Sequence, residues 1–224
     1  LGENPQRVFS VGEIGLDNIT NFPLMKKVDL EKDLGFKFNI KNFLITFHPV
    51  TLEDNTSKIH LDSLLNYFSD KSNTSIIFTK TNADTYSKII NQTLDYYVKT
   101  HPENSIVVPS LGRLRYLSAL QYVDAVIGNS SSGIIEAPSF NIGTINIGDR
   151  QEGRIKAESV IDCPPTKEGI DMAFKKLFST DFQKMLKTLK NPYEQDNGPS
   201  TILDTTLRYL KNKEGIKKSF FDLS

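Results

Sequence analysis

The chain has 224 residues, 38% hydrophobic and 24% charged, enough to bury the core of one large domain or of one domain with an appendage. Its 27 basic and 27 acidic residues leave a formal net charge of zero, so no long-range field draws nucleic acid or an anionic membrane. A single cysteine excludes an internal disulfide framework, three histidines give no Cys/His cluster at metal-ligand spacing, and no apolar run approaches the roughly 20 residues of a membrane span.

The first residues, "LGENPQRVFSVG", carry neither an initiator methionine nor a signal peptide, and they read as stepping at once into a strand over 7 to 12. That start is the expectation for a piece of a longer protein. Further short, β-branched runs follow at 43 to 48, 75 to 79, 105 to 108, 124 to 128 and 143 to 148. They are almost unbroken by polar residues, as in strands covered on both faces. Between them the pattern predicts helices over 24 to 33, 57 to 70, 84 to 99 and 113 to 121. Strand alternating with helix predicts a doubly wound parallel sheet with right-handed crossovers, a Rossmann-like α/β fold.

After Cys163 the apolar residues recur at helical spacing, interrupted by "NPYEQDNGPS" with its Pro192, Gly198 and Pro199. The expected organisation is therefore a Rossmann-like domain over 1 to 190 and a helical tail over 191 to 224 that leaves the main core.

In an open α/β sheet, ligands bind beyond the carboxyl ends of the strands, near the point where strand order reverses. The residues there are Gly12 to Gly15, His48 and Pro49, Thr81 and Asn82, Pro109, Asn129 to Gly133, and Asp149 and Arg150. The stretch "AVIGNSSSGIIEAPSF" from Ala125 to Phe140 is the most informative. It fails the Gly-x-Ser-x-Gly nucleophile elbow at both Ser130 and Ser131. It also fails the P-loop, because Ile134 and Ile135 stand where lysine and a hydroxyl are needed, and no Gly-x-Gly-x-x-Gly occurs. Two readings remain open: a helix N-cap with Glu136 near the first turn, and a helix start at which backbone N–H groups and serine hydroxyls hold a diphosphate. Pro138 predicts that this helix is short or kinked.

His48 can contact phosphate or move a proton, and Arg150 can clamp an anion, although both residue types are commonly structural or solvated. "GRLRYLSAL" at 112 to 120 reads as a packing helix and Cys163 as a small packed residue. A reducing cytoplasm fits the cysteine usage, and neither a metal nor another cofactor is expected.

The motifs "VFSVGEIGLDNI", "ITFHPVT", "SLGRLRYLSAL", "VIGNSSSGIIEAPSFNIGTINIGDRQEGR" and "NPYEQDNGPSTI" resemble, in order and spacing, the carboxyl-terminal half of UDP-N-acetylglucosamine 2-epimerases. The hydrolysing branch, of sialic and legionaminic acid biosynthesis, is the more similar. The resemblance runs from about Arg7 to about Leu210. It implies the second domain of a two-domain, glycosyltransferase-B-type fold, with the last helix packing on an amino-terminal domain that has no counterpart in this sequence. That domain carries most of the acidic residues assigned to acid/base chemistry, so the chain alone is expected to be inactive.

Carried over by position, the resemblance implies that Ser130 and Ser131 bind the UDP phosphates and that Glu136 accepts from the ribose hydroxyls. It further implies that His48 is catalytic near the diphosphate, that Arg150 lies on the substrate side, and that Asn82 and the backbone at Val108 hold uridine. The implied reaction eliminates UDP across C1 and C2 to a glycal, then hydrates it with inversion at C2 to release N-acetylmannosamine. The implied partners are the UDP-sugar, the amino-terminal domain and further copies of the chain, with no nucleic acid and no membrane. Alternatives from the same residues are a nonhydrolysing 2-epimerase, an enzyme acting on a UDP-2,4-diacetamido-trideoxy sugar, a glycosyltransferase-B domain, and a nonenzymatic nucleotide-sugar sensor.

Overall fold

A computed structural model describes residues 2–16, 19, 22–49, 56–81, 87–211 and 220–222. The chain divides into two compact units, Pro23–Asn191 and a smaller one of Leu1–Phe22 with Pro192–Ser224.

The larger unit is built on six parallel strands in the order β3-β2-β1-β4-β5-β6. They are β1 (Lys41–Thr46), β2 (Thr74–Thr79), β3 (Ser105–Val108), β4 (Ala125–Gly128), β5 (Gly143–Ile147) and β6 (Val160–Cys163). Helices α1 (Lys27–Leu34), α2 (Thr56–Phe68), α3 (Ser87–Thr100), α4 (Gly112–Leu120), α5 (Ser132–Ile135), α6 (Lys167–Leu177) and α7 (Thr180–Leu186) precede, connect or follow them. Strand order reverses between β1 and β4, the only such reversal in this sheet, so the ligand-binding crevice of a doubly wound fold belongs beyond the carboxyl ends of those two strands.

Side chains alternate along each strand, and the two faces differ in chemistry. One face presents Phe43, Ile45, Ile76, Phe78, Ala125, Ile127, Ile145, Ile147, Ile161 and Cys163 to Leu61, Leu64 and Phe68 of α2, Ile90 and Leu94 of α3, and Phe174 of α6 in a single apolar core. On the other face the last row of residues before the carboxyl ends is polar or small. Thr79 is in register with Thr46, Thr46 with Gly128, Gly128 with Asn146 and Asn146 with Asp162. Thr46 and Thr79 share a hydrogen bond of 2.6 Å between hydroxyls, and Asn146 donates to Asp162 at 2.7 Å. Buried polar groups are tolerable when paired in this way. The result is a polar floor beneath one side of the crevice.

Two sequence expectations need correction. Residues 7 to 12 do not form a strand: a 3-10 turn occupies Pro5–Arg7, and Val8 and Phe9 are 62% and 40% exposed. The backbone there joins no ladder, and Glu13 N–H donates to the Tyr193 carbonyl within the smaller unit. Conversely, β6 was not anticipated, because "VIDC" carries Asp162 and alternates in burial as an edge strand does, without the unbroken apolar run of its neighbours.

In the smaller unit the helix α8 (Gly198–Lys211) carries Pro199 in its first turn, where a missing N–H costs nothing. Arg208 lies over the rings of Phe9 and Tyr209, 5.6 and 5.5 Å from their centroids. Among the described residues, no helix is long and apolar enough to cross a membrane.

Candidate functional site

The turn after β4 is organised by close approach. Gly128 has φ +127°, and a Cβ there would stand 2.0 Å from the Thr46 carbonyl oxygen of β1. Gly133 is pressed on Thr144, whose Cγ2 lies 2.7 Å from where a Cβ would be and whose hydroxyl donates to the Gly133 carbonyl at 2.6 Å. Both glycines flanking the serines are therefore demanded by sheet packing.

The serines are not. Ser131 is the N-cap residue of α5 but takes a helical conformation (φ −63°, ψ −22°), and its own side chain makes no capping hydrogen bond. An N-cap side chain has to come from an extended backbone to reach the N2 or N3 amide, and this one does not. Ser130 Oγ accepts from the Ser132 N–H at 3.4 Å and from Ser132 Oγ at 3.0 Å, and all three serines are half-buried at the crevice. Ser130 thus holds one helix amide, at long range, while the Ser131 hydroxyl takes no part in capping. α5 ends after four residues, and the chain continues as the 3-10 turn Ala137–Phe140 that contains Pro138, as the proline predicts. A helix this short contributes little dipole, so an anion here depends on hydroxyls and N–H groups.

His48 follows β1 directly across the switch point. Its backbone N–H donates to Asn129 Oδ1 at 2.7 Å, and its carbonyl accepts from Asn129 Nδ2 at 2.8 Å. Its ring Nδ1 lies 3.3 Å from the hydroxyl of Thr81, just after β2. Thr81 is held in turn by Asn91 of α3, which accepts from the Thr81 N–H at 3.1 Å. Arg150, exposed after β5, donates from Nη1 to the Asn129 carbonyl at 3.0 Å. Gln151, 1% exposed, donates to the same carbonyl at 2.8 Å.

Among the sequence-predicted residues, His48, Ser130, Ser131 and Arg150 thus gather around Asn129. Glu136 closes α5 and stands beside Tyr116 of α4. The Tyr116 hydroxyl is buried next to Ser132 and Glu136 but makes no hydrogen bond of good geometry among the described residues. Burial raises its pKa, Ser132 partly offsets the shift, and the charge of Glu136 adds to it. Val108 ends the edge strand β3, two strands from β1, where its carbonyl accepts from Lys80 N–H at 2.9 Å. Asn82 lies outside the described residues.

Sequence reasoning assigned no role to Asn129, Gln151 or Tyr116. No local spacing ties residue 116 to 132, or 129 to 48, so nothing short of the fold could bring them forward. A cavity of about 290 Å³ opens on the apolar side of the crevice, lined in part by Phe47, His60, Asn129, Asp149 and Pro164. Among the described residues no group of three or more His, Cys, Asp or Glu side chains could hold a metal ion.

A sequence model described as UDP-N-acetylglucosamine 2-epimerase matches residues 1–207. The chain is similar over its whole length to a GDP/UDP-N,N'-diacetylbacillosamine 2-epimerase (hydrolyzing) of Campylobacter jejuni, at 39% identity over 223 residues. It is similar also to the polysialic acid biosynthesis protein P7 of Escherichia coli, at 35% identity over 224 residues. The chain spans 58% of the Campylobacter relative and 56% of the Escherichia one. Among solved structures, the Staphylococcus aureus MnaA–UDP co-structure superposes with a TM-score of 0.73 at 16% identity, over 99% of this chain and 58% of that one. At that identity the likeness is one of fold.

Proposed function

The chain belongs to the UDP-N-acetylglucosamine 2-epimerase family, and from that premise we propose that it is the UDP-binding, carboxyl-terminal half of a hydrolysing UDP-N-acetylglucosamine 2-epimerase. The full protein would convert UDP-N-acetylglucosamine and water into N-acetylmannosamine and UDP. One observation carries the reading. Ser130 and Ser131 stand at the switch point, the Ser131 hydroxyl making no capping bond to α5, in a turn tied through Asn129 to His48 and Arg150.

In this reading the two hydroxyls donate to the diphosphate oxygens, and Arg150 adds a charged donor beside them. Those donors matter most as the C1–O bond breaks, because charge then grows on the departing phosphate. A base removes the C2 proton, the C1–O electron pair leaves with UDP, and C1 and C2 become doubly bonded. Water then supplies hydroxide to C1 and a proton to C2 on the opposite face, releasing the free amino sugar. His48 is the group of this chain placed to act on the leaving phosphate. Glu136 accepts from the ribose hydroxyls, and Asn82 with the Val108 backbone holds the uracil. The C2 base comes from a first domain, against which residues 191–224 pack. The working enzyme is cytoplasmic, serves sialic acid-type biosynthesis, and assembles from several copies of the chain.

The test is incubation of the full-length protein with UDP-N-acetylglucosamine and assay of both products. Stoichiometric free UDP and N-acetylmannosamine support the proposal. Epimerised UDP-sugar without free UDP would establish the nonhydrolysing reaction instead.

A second reading is favoured by the 39% identity to the diacetylbacillosamine enzyme: the substrate is a UDP-2,4-diacetamido-trideoxy sugar. Parallel assays with the two UDP-sugars separate the readings by the ratio of their kcat/KM values.

A further inference from the structure

The backbone pairing of β1 with β4 stops at Thr46 and Gly128, whose unusual φ turns the chain away from the ladder. The Asn129 N–H still reaches the Thr46 carbonyl, at 3.2 Å. Beyond that point the Asn129 side-chain amide takes over. Its oxygen accepts from the His48 N–H and its nitrogen donates to the His48 carbonyl, reproducing with a side chain the two-way pairing of a strand neighbour. An asparagine that merely shaped its own turn would bond to nearby backbone; this one reaches a residue 81 positions away. Its own carbonyl is meanwhile fixed by Arg150 and Gln151. Asn129 is 1% exposed, so its amide has no alternative partner in solvent.

We propose that Asn129 is the positioning residue of this site, fixing His48 and Arg150 to the serine turn as one rigid unit while leaving the backbone of that turn to face the ligand. The proposal rests on the 2-epimerase reading for its consequence in turnover and on geometry alone for its structural part. Only an amide does both jobs toward His48. A carboxylate can accept from the N–H but cannot donate to the carbonyl, and the lost contact frees the histidine. A displacement of a reacting group by about 1 Å can cost on the order of 100-fold in rate.

The experiment is a double-mutant cycle in the full-length protein, with Asn129→Asp made in the wild-type and His48→Ala backgrounds. If Asn129 acts through His48, Asn129→Asp lowers kcat on the order of 100-fold in the first background and by about threefold or less in the second. An equal loss in both backgrounds would overturn the proposal. Asn129→Ser replaces Asn129→Asp in the cycle should the aspartate variant not fold. Hydrogen exchange provides a readout independent of turnover: the His48 amide is protected in the wild type and exposed in Asn129→Ser, whereas the Ile45 amide inside β1 stays protected in both. Unchanged His48 protection in Asn129→Ser would also overturn it. Wild-type protein that turns over neither UDP-sugar defeats the functional reading, and the exchange measurement still decides the role of Asn129.

Discussion

Gly128 lies against the carbonyl of Thr46, so closely that a Cβ at position 128 would stand 2.0 Å from that oxygen. The contact joins the two strands that bracket the switch point, and backbone cannot yield as a flexible side chain can. Gly128→Ala is expected to destabilise the fold by more than about 3 kcal/mol, combining overpacking with strain at φ +127°. Gly35→Ala is the control. It has φ +61° but open space around it, so only the left-handed backbone penalty of about 1–2 kcal/mol applies. Urea melts of the two variants check this; equal midpoints would contradict it.

Alkaline stability reports the groups whose protons burial holds on, Cys163 and Tyr97 beside Tyr67 and Tyr116. Burial pushes the Cys163 thiol from its ordinary 9.0 up to about 11, and the Tyr97 hydroxyl from 10.0 up to about 12. Both acids are raised in the folded state, so their contribution is complete below about pH 9. It is lost progressively as pH rises through the folded values, because the unfolded chain ionises first. Cys163→Ala is expected to flatten the first part of that decline in denaturant melts. The wild-type thiol is expected to resist aromatic disulfide reagents at neutral pH until the protein unfolds.

The Tyr97 hydroxyl is buried without a hydrogen-bond partner among the described residues. Removing an unsatisfied polar group at constant ring packing costs nothing and relieves a desolvation penalty of about 1–3 kcal/mol. Tyr97→Phe is therefore expected to raise Tm or leave it unchanged. A clear loss of Tm would show that the hydroxyl has a partner in solution.

Glu136 separates the two halves of the proposed ligand. If its carboxylate accepts from ribose, Glu136→Ala weakens UDP by about 1.5–3 kcal/mol and leaves inorganic pyrophosphate unaffected. Titration of both ligands by calorimetry distinguishes this from a purely structural role, which would weaken the two together.

Much of this architecture was legible because parallel strands buried on both faces announce themselves. "FLITF" and "SIIFT" are apolar but for Thr46, Ser75 and Thr79, and carry no charge. The strand at Val160–Cys163 escaped notice because Asp162 accepts from Asn146 and Lys156 across and beside the sheet, so a charge sits where the pattern expects an apolar residue. The apparent strand at 7 to 12 misled for the opposite reason: its apolar side chains are largely exposed, and no sheet receives them. At the site, "GNSSSG" matches neither the hydrolase nor the P-loop spacing. That Ser130 and not Ser131 reaches a helix amide depends on backbone angles, which no spacing encodes. The sequence places Asn129 at the crevice but not its bonds, since its partners at 48, 150 and 151 come from the ends of two other strands.

The central claim is that Ser130 and Ser131 hold a diphosphate, and calorimetric titration of UDP into this chain and its Ser130→Ala/Ser131→Ala variant tests it most directly. Each hydroxyl bonded to a charged oxygen contributes about 1.5–3 kcal/mol. The account predicts measurable binding by the wild type and a loss on the order of 100-fold or more in the variant, with Tm little changed because Ser130 holds only one helix amide, at 3.4 Å. Equal UDP affinity in the two proteins would contradict it.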